Sequence, residues 1–247
     1  METVADVNWD QYDAALFDLD GVVTPTAEVH MRAWSAMFND YLEGKPGQKP
    51  YTDEDYYAYV DGKPRYDGVR TFLHARGIDL PEGTPDDPAD ADTVMGLGNR
   101  KNDYFSKVLA DEGVEAYPGS VRLLDALKAR GLPMAIVSSS RNAPAVLETA
   151  GVADYFDFVM HGGIAAERHL AGKPAPDTFL AAAEEVGATA ERSVVFEDAI
   201  SGVEAGAAGH FGLVVGVDRG AGEKALTDGG ADVVVQDLAE LVPEDSR

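Results

Sequence analysis

The part of the chain after Tyr117 alternates amphipathic helices with short apolar runs, and this alternation limits the possible folds more than any other feature. The apolar runs are predicted strands, over residues 133–139, 156–160, 194–196, 213–217 and 233–235. Helices are predicted before and between them, over residues 118–130, 143–150, 176–186 and 200–208. Because helices separate consecutive strands, the pattern predicts an α/β fold, a doubly wound parallel sheet with helices on both faces.

An earlier apolar stretch, Ala14 to Thr24, is predicted to add a strand to the same sheet. It reads Ala-Ala-Leu-Phe-Asp-Leu-Asp-Gly-Val-Val-Thr, which is typical of a buried strand that ends in a turn. If the strand extends far enough, Asp18 and Asp20 point the same way, because side chains alternate between the faces of a strand. Two carboxylates so placed require a metal ion, a shared proton or a displaced backbone. The simpler alternative is one capping aspartate and one solvated aspartate.

Residues 27–113 have a different texture, with helices and loops and no convincing strand. Helices are predicted over residues 27–42 and 65–76, and from residue 94 or 99 to 109. A shorter aromatic-rich segment, 51–59, has Thr52 or Asp53 as its candidate N-cap. The sequence therefore predicts a helical cap domain over residues 27–113, inserted into a core domain formed by residues 1–26 and 114–247.

Composition narrows the class of protein and of partner. The chain has 247 residues, of which 45% are hydrophobic, which fits a globular protein with one large core or one core plus a smaller domain. The 44 acidic and 20 basic residues give a formal charge of -24, which disfavours nucleic acid and anionic membranes as partners. There is no cysteine, which excludes disulfides and thiolate metal sites. Since no leader or membrane span is recognisable, we predict a cytoplasmic location.

Polar side chains follow several of the predicted strands, where the binding crevice of an open parallel sheet lies. Asp18 and Asp20 follow the first strand, and Glu197 and Asp198 follow a later one. A third group follows the second strand: Ser138, Ser139, Ser140, Arg141 and Asn142. Lys173 lies in a Gly-Lys-Pro-Ala-Pro-Asp loop before a helix. Each feature alone is explained by a turn or a helix cap, but together they are predicted to converge on one edge of the sheet.

These residue types suit phosphoryl transfer through a covalent carboxylate intermediate. Asp18 and Asp198 are candidate oxygen ligands of Mg²⁺, with Glu197 as a further candidate. Lys173 would neutralise phosphoryl oxygens, while the Ser138 hydroxyl and neighbouring backbone N–H groups would donate hydrogen bonds to them. One aspartate would attack phosphorus, and the other would carry a proton.

Competing sites lack their signatures. The sequence contains neither a Gly-x-x-x-x-Gly-Lys-Ser/Thr loop nor a Gly-x-Ser-x-Gly elbow, which disfavours P-loop and α/β-hydrolase chemistry. Gly96-Leu97-Gly98 falls in the helical insert with no strand before it, which disfavours a dinucleotide site. The five histidines do not have the spacing of zinc ligands.

In order along the chain, these motifs resemble those of the haloacid dehalogenase superfamily. The matching residues are Phe17-Asp18-Leu19-Asp20-Gly21, Ser138, Lys173-Pro174 and Glu197-Asp198. The insert is similar to the helical cap of the β-phosphoglucomutase branch in residues 26–34, 62–65 and 100–103. The resemblance implies a Rossmann-like core domain with an inserted cap.

The resemblance also implies a role for each matched residue. Asp18 would be the nucleophile that becomes phosphorylated, and Asp20 the general acid and base. Mg²⁺ would be bound by the carboxylate of Asp18, the main-chain oxygen of Asp20, Glu197 and Asp198. Phosphate-binding or substrate-binding roles fall on Ser138, Ser139, Lys173, Arg65, Ser140, Asn142, Lys101, His30 and Thr26.

Within that last set the resemblance separates two tasks. Ser138 and Lys173 match positions that contact the transferring phosphate. Family positions for a second, non-transferring phosphate fall on Arg65, Ser140 and Asn142. Thr26, His30 and Lys101 match cap and hinge positions near the sugar or near Asp20. For Arg65 and Lys101 the simpler alternative is a basic side chain on a solvated helix surface.

The resemblance implies a Mg²⁺-dependent isomerase that interconverts β-glucose 1-phosphate and glucose 6-phosphate through a bisphosphate. The enzyme would act on a small phosphosugar as a monomer. A sugar-phosphate phosphatase of the same superfamily is the alternative, and a non-catalytic phosphosugar-binding protein is a third hypothesis. A second phosphate site would favour the mutase, because a mutase must hold a bisphosphate and keep water from the acyl phosphate.

Overall fold

A six-stranded parallel sheet forms the centre of the part of the molecule that contains Asp18 and the residues after Tyr117, as the alternation of helices and strands predicts. In the computed structural model, which describes residues 7–243, the strands are β1 (Ala14–Phe17), β2 (Met134–Val137), β3 (Phe158–Met160), β4 (Ser193–Glu197), β5 (Leu213–Val217) and β6 (Val233–Val235). Their order in the sheet is β3-β2-β1-β4-β5-β6. The predicted α/β fold with a doubly wound parallel sheet is confirmed.

Ten α-helices are found within residues 7–243. They are α1 (Thr26–Leu42), α2 (Asp53–Tyr59), α3 (Arg65–Ala75), α4 (Val94–Glu112), α5 (Pro118–Ala129), α6 (Ala143–Thr149), α7 (Gly162–Glu167), α8 (Asp177–Glu185), α9 (Ile200–Ala208) and α10 (Glu223–Gly229). Local chemistry accounts for several of their starts. The Thr52 side chain and Asp55 form a reciprocal capping box at α2, and the Thr93 hydroxyl accepts the Gly96 N–H at α4. Pro118 occupies the first turn of α5, where its missing N–H costs nothing.

Strand β1 is central and entirely buried, which explains its unbroken apolar sequence. It pairs in parallel with β2 on one side and with β4 on the other, and Phe17 is in register with Phe196. The rings of these two residues stack with centroids 4.4 Å apart. Because the strand order reverses between β1 and β4, a crevice is expected beyond the carboxyl ends of these two strands. The residues that follow β1 and end β4 therefore flank the switch point of the sheet.

The chain divides into two units, and each has its own hydrophobic core. The first unit comprises the described residues up to Pro25 and from Val114 onward, and the second comprises Thr26–Gly113. Side chains from the sheet and from α8 and α9 form the core of the first unit, including Leu16, Phe179 and Val203. An aromatic cluster that includes Trp34 and Phe38 forms the core of the second unit. The second unit contains helices and loops and no strand.

Within residues 7–243, no helix combines the length and the apolar character that a transmembrane span requires.

Candidate active site

The site begins where β1 and β4 end side by side. Asp18 directly follows β1, and its backbone N–H donates to the carbonyl of Phe196 at 2.9 Å, so the pairing of the two strands fixes its position. Glu197 is the last residue of β4, and Asp198 follows it. Carboxylate oxygens of Asp18, Glu197 and Asp198 lie within 4.8 Å of one another. The predicted convergence of these three acidic residues at one sheet edge is therefore present in the fold.

Lys173 lies between two of these carboxylates. Its Nζ donates to Asp18 Oδ1 at 2.5 Å, to the Val137 carbonyl at 2.9 Å and to Glu197 Oε1. Lys173 is only 3% exposed and Glu197 is fully buried, so water does not screen this ion pair. One ammonium group is thus shared by two buried carboxylates, and the group as a whole keeps a negative charge.

The excess negative charge changes how these groups titrate. Burial of the Asp18 carboxyl raises its pKa well above the usual range; the charges of Glu197 and Asp20 act in the same direction, and Lys173 opposes them. Burial alone would lower the pKa of Lys173, but the charges of Asp18 and Glu197 outweigh it and raise that pKa above its ordinary value. The lysine therefore stays a cation, and a further cation beside Asp18 would favour the ionised form of its carboxyl group.

Two glycines make room for the carboxylates. A Cβ at Gly21 would lie 1.8 Å from Asp198 Oδ2, and a Cβ at Gly202 would lie 1.9 Å from Glu197 Oε1. Gly21 also has a φ of +86°, which glycine adopts without strain. The second oxygen of Glu197 accepts the Ala199 N–H at 3.0 Å, so this carboxylate is held from both sides. The backbone on two sides of the site is thus shaped around these acidic side chains.

This donor set fits a hard divalent cation. Three carboxylates converge, at least one of them has its pKa raised by burial, and the oxygen-only chemistry is what Mg²⁺ prefers. A bound cation would also offset the negative charge that Lys173 alone leaves uncompensated. The residues present therefore form a buried acidic cluster with the composition of a metal site.

The segment after β2 forms a ladder of side-chain hydrogen bonds beside this cluster. The Ser138 hydroxyl donates to Asp20 Oδ2 at 3.4 Å and accepts the Ser140 N–H at 3.1 Å. The Ser140 hydroxyl in turn accepts the Asn142 N–H at 3.1 Å. Ser139 lies within this turn, where a Cβ at Gly162 would come within 2.4 Å of its carbonyl oxygen. The structure therefore joins Asp20 to the serine segment that the sequence places after the second strand.

The second unit holds the remaining predicted residues. Arg65 is the first residue of α3, and its Nη2 donates to Asn102 Oδ1 on α4 at 2.6 Å. Helices α3 and α4 pack closely at this point, since a Cβ at Gly98 would lie 2.6 Å from the Tyr66 ring. Arg65 is half-buried and oriented by a neighbouring amide, which is more order than a solvated arginine at a helix start requires.

Lys101 is buried in the same unit. Its Nζ contacts His30 Nδ1 and lies 5.0 Å from the ring centroids of both Trp34 and Phe105. The side chain is 3% exposed, so the alternative of a basic residue on a solvated helix surface is wrong for Lys101. Thr26, the first residue of α1, is fully buried.

The structure thus gathers the predicted residues in two sets. In the first unit these are Asp18, Asp20, Ser138, Ser139, Ser140, Asn142, Lys173, Glu197 and Asp198. In the second unit these are Thr26, His30, Arg65 and Lys101. Sequence reasoning missed Gly202, which makes room for Glu197, and Asn102, which orients Arg65. Asn102 lies within a stretch that matches the family, but nothing in its spacing names its partner, which is 37 residues away.

A parallel sheet with acidic residues at its switch point, a buried lysine between them and a helical insert after the first strand defines a class of protein. The family model for haloacid dehalogenase-like hydrolases matches residues 12–210, and the chain belongs to that family. The resemblance drawn from the four motifs is confirmed.

Individual relatives narrow the likeness further. The chain is 52% identical over 238 residues to the β-phosphoglucomutase of Mycobacterium tuberculosis, which covers 93% of this chain and 91% of that protein. It is 33% identical over 232 residues to the β-phosphoglucomutase of Bacillus subtilis, covering 94% and 92%. The crystal structure of a β-phosphoglucomutase from Clostridium difficile has the same fold, with a TM-score of 0.76, 24% identity and 93% of each chain covered. The predicted branch of the superfamily is confirmed.

Proposed function

We propose that this chain is a phosphosugar mutase that interconverts β-glucose 1-phosphate and glucose 6-phosphate. The position of Asp18 carries the proposal, because this nucleophile contacts a buried lysine and lies within 4.8 Å of two further carboxylates that could hold a cation, and these groups would neutralise a phosphoryl group. The 52% identity to a β-phosphoglucomutase over most of both chains supports the sugar and the reaction. We assign the first unit the role of core domain and the second the role of cap domain.

We assign the acidic cluster to Mg²⁺. The carboxylates of Asp18, Glu197 and Asp198 would hold the ion, and the family resemblance adds the main-chain oxygen of Asp20. When bound, the ion supplies positive charge that offsets the charge of the phosphoryl oxygens. Lys173 contributes to the same end from the protein side, since its ammonium group already contacts Asp18.

Asp18 performs the first chemical step. One of its carboxylate oxygens attacks the phosphorus of one phosphate of the sugar bisphosphate, and the bond from that phosphorus to the sugar oxygen breaks, which leaves a sugar monophosphate. The electron pair of that bond goes to the sugar oxygen, which takes a proton from the Asp20 carboxyl group. The products are a phosphorylated Asp18, a sugar hydroxyl group and an ionised Asp20.

The second step transfers this phosphoryl group to the free hydroxyl group of β-glucose 1-phosphate, which forms the bisphosphate again. Asp20 accepts the proton of the attacking hydroxyl group, whose oxygen attacks the phosphorus on Asp18. The acyl phosphate bond breaks, and its electron pair restores the Asp18 carboxylate. Ser138 supports this exchange by donating to Asp20 Oδ2, which limits the orientations of that carboxylate. We assign the Ser138 hydroxyl, Ser139 and Lys173 to the transferring phosphate.

A mutase also has to hold the phosphate that is not transferred. We assign this task to Arg65, Ser140 and Asn142, as the family resemblance implies. The planar guanidinium of Arg65 can bind two phosphate oxygens at once, and Asn102 holds it in a fixed orientation. We assign Lys101, His30 and Thr26 to the sugar or to the neighbourhood of Asp20. The monomeric state and the cytoplasmic location stay predictions.

The proposal is tested by following both possible products in one reaction. Purified protein with Mg²⁺ and a catalytic amount of glucose 1,6-bisphosphate is given β-glucose 1-phosphate, and ³¹P NMR separates glucose 6-phosphate from inorganic phosphate. We expect glucose 6-phosphate to accumulate and inorganic phosphate to stay near the level of an Asp18→Asn control. Release of inorganic phosphate without isomerisation would instead identify a phosphatase, and no conversion of either kind would favour a binding protein.

A further inference from the structure

Asp218, the first residue of the loop after β5, stabilises the conformation of this loop. Asp218 Oδ1 accepts the N–H groups of Gly220 at 2.9 Å and of Gly222 at 3.0 Å. Such an aspartate fixes the backbone of a tight turn, and the Asp218 N–H donates in turn to the Val235 carbonyl of β6 at 2.8 Å. The turn holds Arg219 at the carboxyl end of β5, the strand next to the one that carries Glu197.

Arg219 makes three contacts that lead away from its own loop. Its Nε donates to the Gly21 carbonyl at 2.9 Å, and its Nη1 donates to the Gln236 carbonyl at 2.9 Å. Its guanidinium carbon lies 4.1 Å from the centroid of the Tyr117 ring. In a chain with 44 acidic residues, it forms no ion pair with a carboxylate in residues 7–243. Two backbone carbonyls and an aromatic face are therefore what this arginine is placed to bind.

The turn that receives Arg219 is the one that carries the proposed general acid. Three consecutive carbonyls of that turn each accept a hydrogen bond from outside it: Gly21 from Arg219, Val22 from the Ser120 hydroxyl at 2.7 Å, and Val23 from the Tyr117 N–H at 2.9 Å. The Val22 and Val23 carbonyls are held by residues at the start of α5. The Gly21 carbonyl is held instead by a side chain from the loop after β5.

Gly21 is also the most permissive point of the turn. It follows Asp20 directly, has a φ of +86° and lies against Asp198 Oδ2. A glycine populates many backbone conformations, so a restraint on its carbonyl matters more than it would at a bulkier residue. Rotation of this residue would move Asp20 on one side and disturb the contact with Asp198 on the other.

From these contacts we infer that Arg219 is a positioning residue that fixes the Asp20–Gly21 turn for proton transfer. It touches neither the reacting atoms nor the proposed metal ligands, and it acts through the Gly21 carbonyl. The inference rests on the proposed function in assigning acid–base chemistry to Asp20. An arginine suits the task because its planar fork donates in two directions while its face stacks on Tyr117, whereas a lysine has one flexible ammonium group.

Two phosphoryl donors separate positioning of Asp20 from general damage to the site. With glucose 1,6-bisphosphate, the departing sugar oxygen needs a proton from Asp20. With acetyl phosphate, Asp18 attacks phosphorus and acetate leaves with the electron pair of the broken bond, as a stable anion that needs no proton. The rate of Asp18 phosphorylation is measured with each donor by rapid acid quench and mass spectrometry of the intact protein.

For Arg219→Ala we expect phosphorylation by the bisphosphate, and kcat for isomerisation, to fall about tenfold with KM within about twofold of the unmodified enzyme. Phosphorylation by acetyl phosphate should stay within about twofold, because it does not depend on the orientation of Asp20. For Arg219→Lys we expect rates between those of the unmodified enzyme and those of Arg219→Ala. This variant supplies the same comparison of donors if the alanine variant does not fold. The matched control is Arg192→Ala. Arg192 forms an ion pair with Asp13, and the two residues directly precede β4 and β1.

An equal loss with both donors would overturn the inference, because it would mean that Arg219 supports the site as a whole. Unchanged rates with both donors would overturn it as well. A failure of the proposed function gives a different result from a failure of the inference about Arg219. The unmodified enzyme would then not isomerise the sugar, although the ratio of the two phosphorylation rates could still be measured.

Discussion

The cations proposed to bind phosphate or sugar have different neighbours in the two units of this protein. In the first unit Lys173 is buried between the carboxylates of Asp18 and Glu197, so its charge is matched locally by acidic groups. In the second unit Arg65 contacts an amide oxygen, and Lys101 contacts an imidazole nitrogen and two aromatic rings. Contacts of the second kind orient a cation without cancelling its charge.

This difference suggests a division of labour within the proposed function. A network of opposite charges is rigid and keeps the nucleophile in place, and the proposed Mg²⁺ would add the positive charge that the transferring phosphate requires. A neutral neighbour such as the Asn102 amide orients a cation without reducing its attraction for a phosphate. We therefore expect substitutions in the first unit to abolish chemistry or stability, and substitutions in the second unit to weaken substrate binding.

The largest effect is expected for Asp18→Asn. The amide has the shape of the carboxylate but is not a nucleophile, so no acyl phosphate can form, and kcat should fall by about 10⁵-fold. The measurement is the coupled production of glucose 6-phosphate in the presence of the bisphosphate. If the variant keeps more than a few per cent of the activity, the nucleophile must be another residue. The proposed contrast between the two units would then be wrong.

Lys173→Met tests the buried charge network directly. It leaves Asp18 and Glu197 buried without their shared ammonium group, and we expect the free energy of unfolding to fall by about 3 kcal/mol, with activity lost as well. Urea denaturation of the metal-free protein measures the change. Lys224→Met is the matched control, because the Lys224–Asp228 pair is exposed and its loss should change stability little. Equal stability of the two variants would show that Lys173 does not offset the charges of the buried carboxylates.

Arg65→Ala and Asn102→Ala sharpen the other side of the comparison. Loss of a charged phosphate ligand should raise KM by about 50-fold with a smaller change in kcat, and loss of the amide that orients Arg65 should raise KM by about fivefold. Steady-state kinetics of both variants with β-glucose 1-phosphate test this. If Arg65→Ala hardly alters KM, the second phosphate is not bound by this arginine and the phosphatase alternative gains support.

The smallest effect concerns a neutral group beyond the end of β3, at the same sheet edge as Asp18. His161 accepts the Gly163 N–H at 3.1 Å through Nδ1, and burial lowers its pKa from the ordinary value of 6.5. A folded-state pKa below the unfolded one means that stability is complete above pH 6.5 and declines as the pH falls through the folded-state pKa. We expect a loss of about 0.5 kcal/mol on acidification, the lower end for a helix cap.

The pH dependence from His161 can be isolated by substitution. Asparagine accepts the same N–H bond as an N-cap but does not titrate, so His161→Asn should flatten this part of the stability profile. Thermal unfolding at a series of pH values compares the two proteins. An unchanged slope would assign the dependence to other groups.

The sequence was most informative where one physical rule decides the outcome. Strand β5 and helix α9 fall on the predicted residues because a continuous apolar run and a 3.6-residue period leave little choice. Helix α7 was missed because it begins with Gly162-Gly163, which has poor helix propensity, and the surrounding structure overrides it. The short helix α10 was missed for a related reason, since it ends at Gly229 and is followed by another glycine.

The same limit applies to the candidate site. That acidic residues meet beyond β1 and β4 follows from the topology of a parallel sheet, so the grouping of Asp18 with Glu197 and Asp198 could be predicted. The sequence does not predict which oxygen Lys173 contacts, or that Arg219 reaches Gly21. These partners are 24 to 198 residues apart in the chain, and packing decides which of them meet. Pattern reasoning identifies the residues of a site but not their mutual contacts.

The central claim is that Asp18, in the buried charged cluster of the first unit, carries the phosphoryl group during turnover. The most direct test incubates the protein with Mg²⁺ and glucose 1,6-bisphosphate, quenches it in acid, reduces any aspartyl phosphate with borohydride and maps the altered residue by peptide mass spectrometry. Our account predicts a single altered residue, at Asp18, that is absent without bisphosphate. An alteration at any other residue, or none in a preparation that isomerises the sugar, would contradict it.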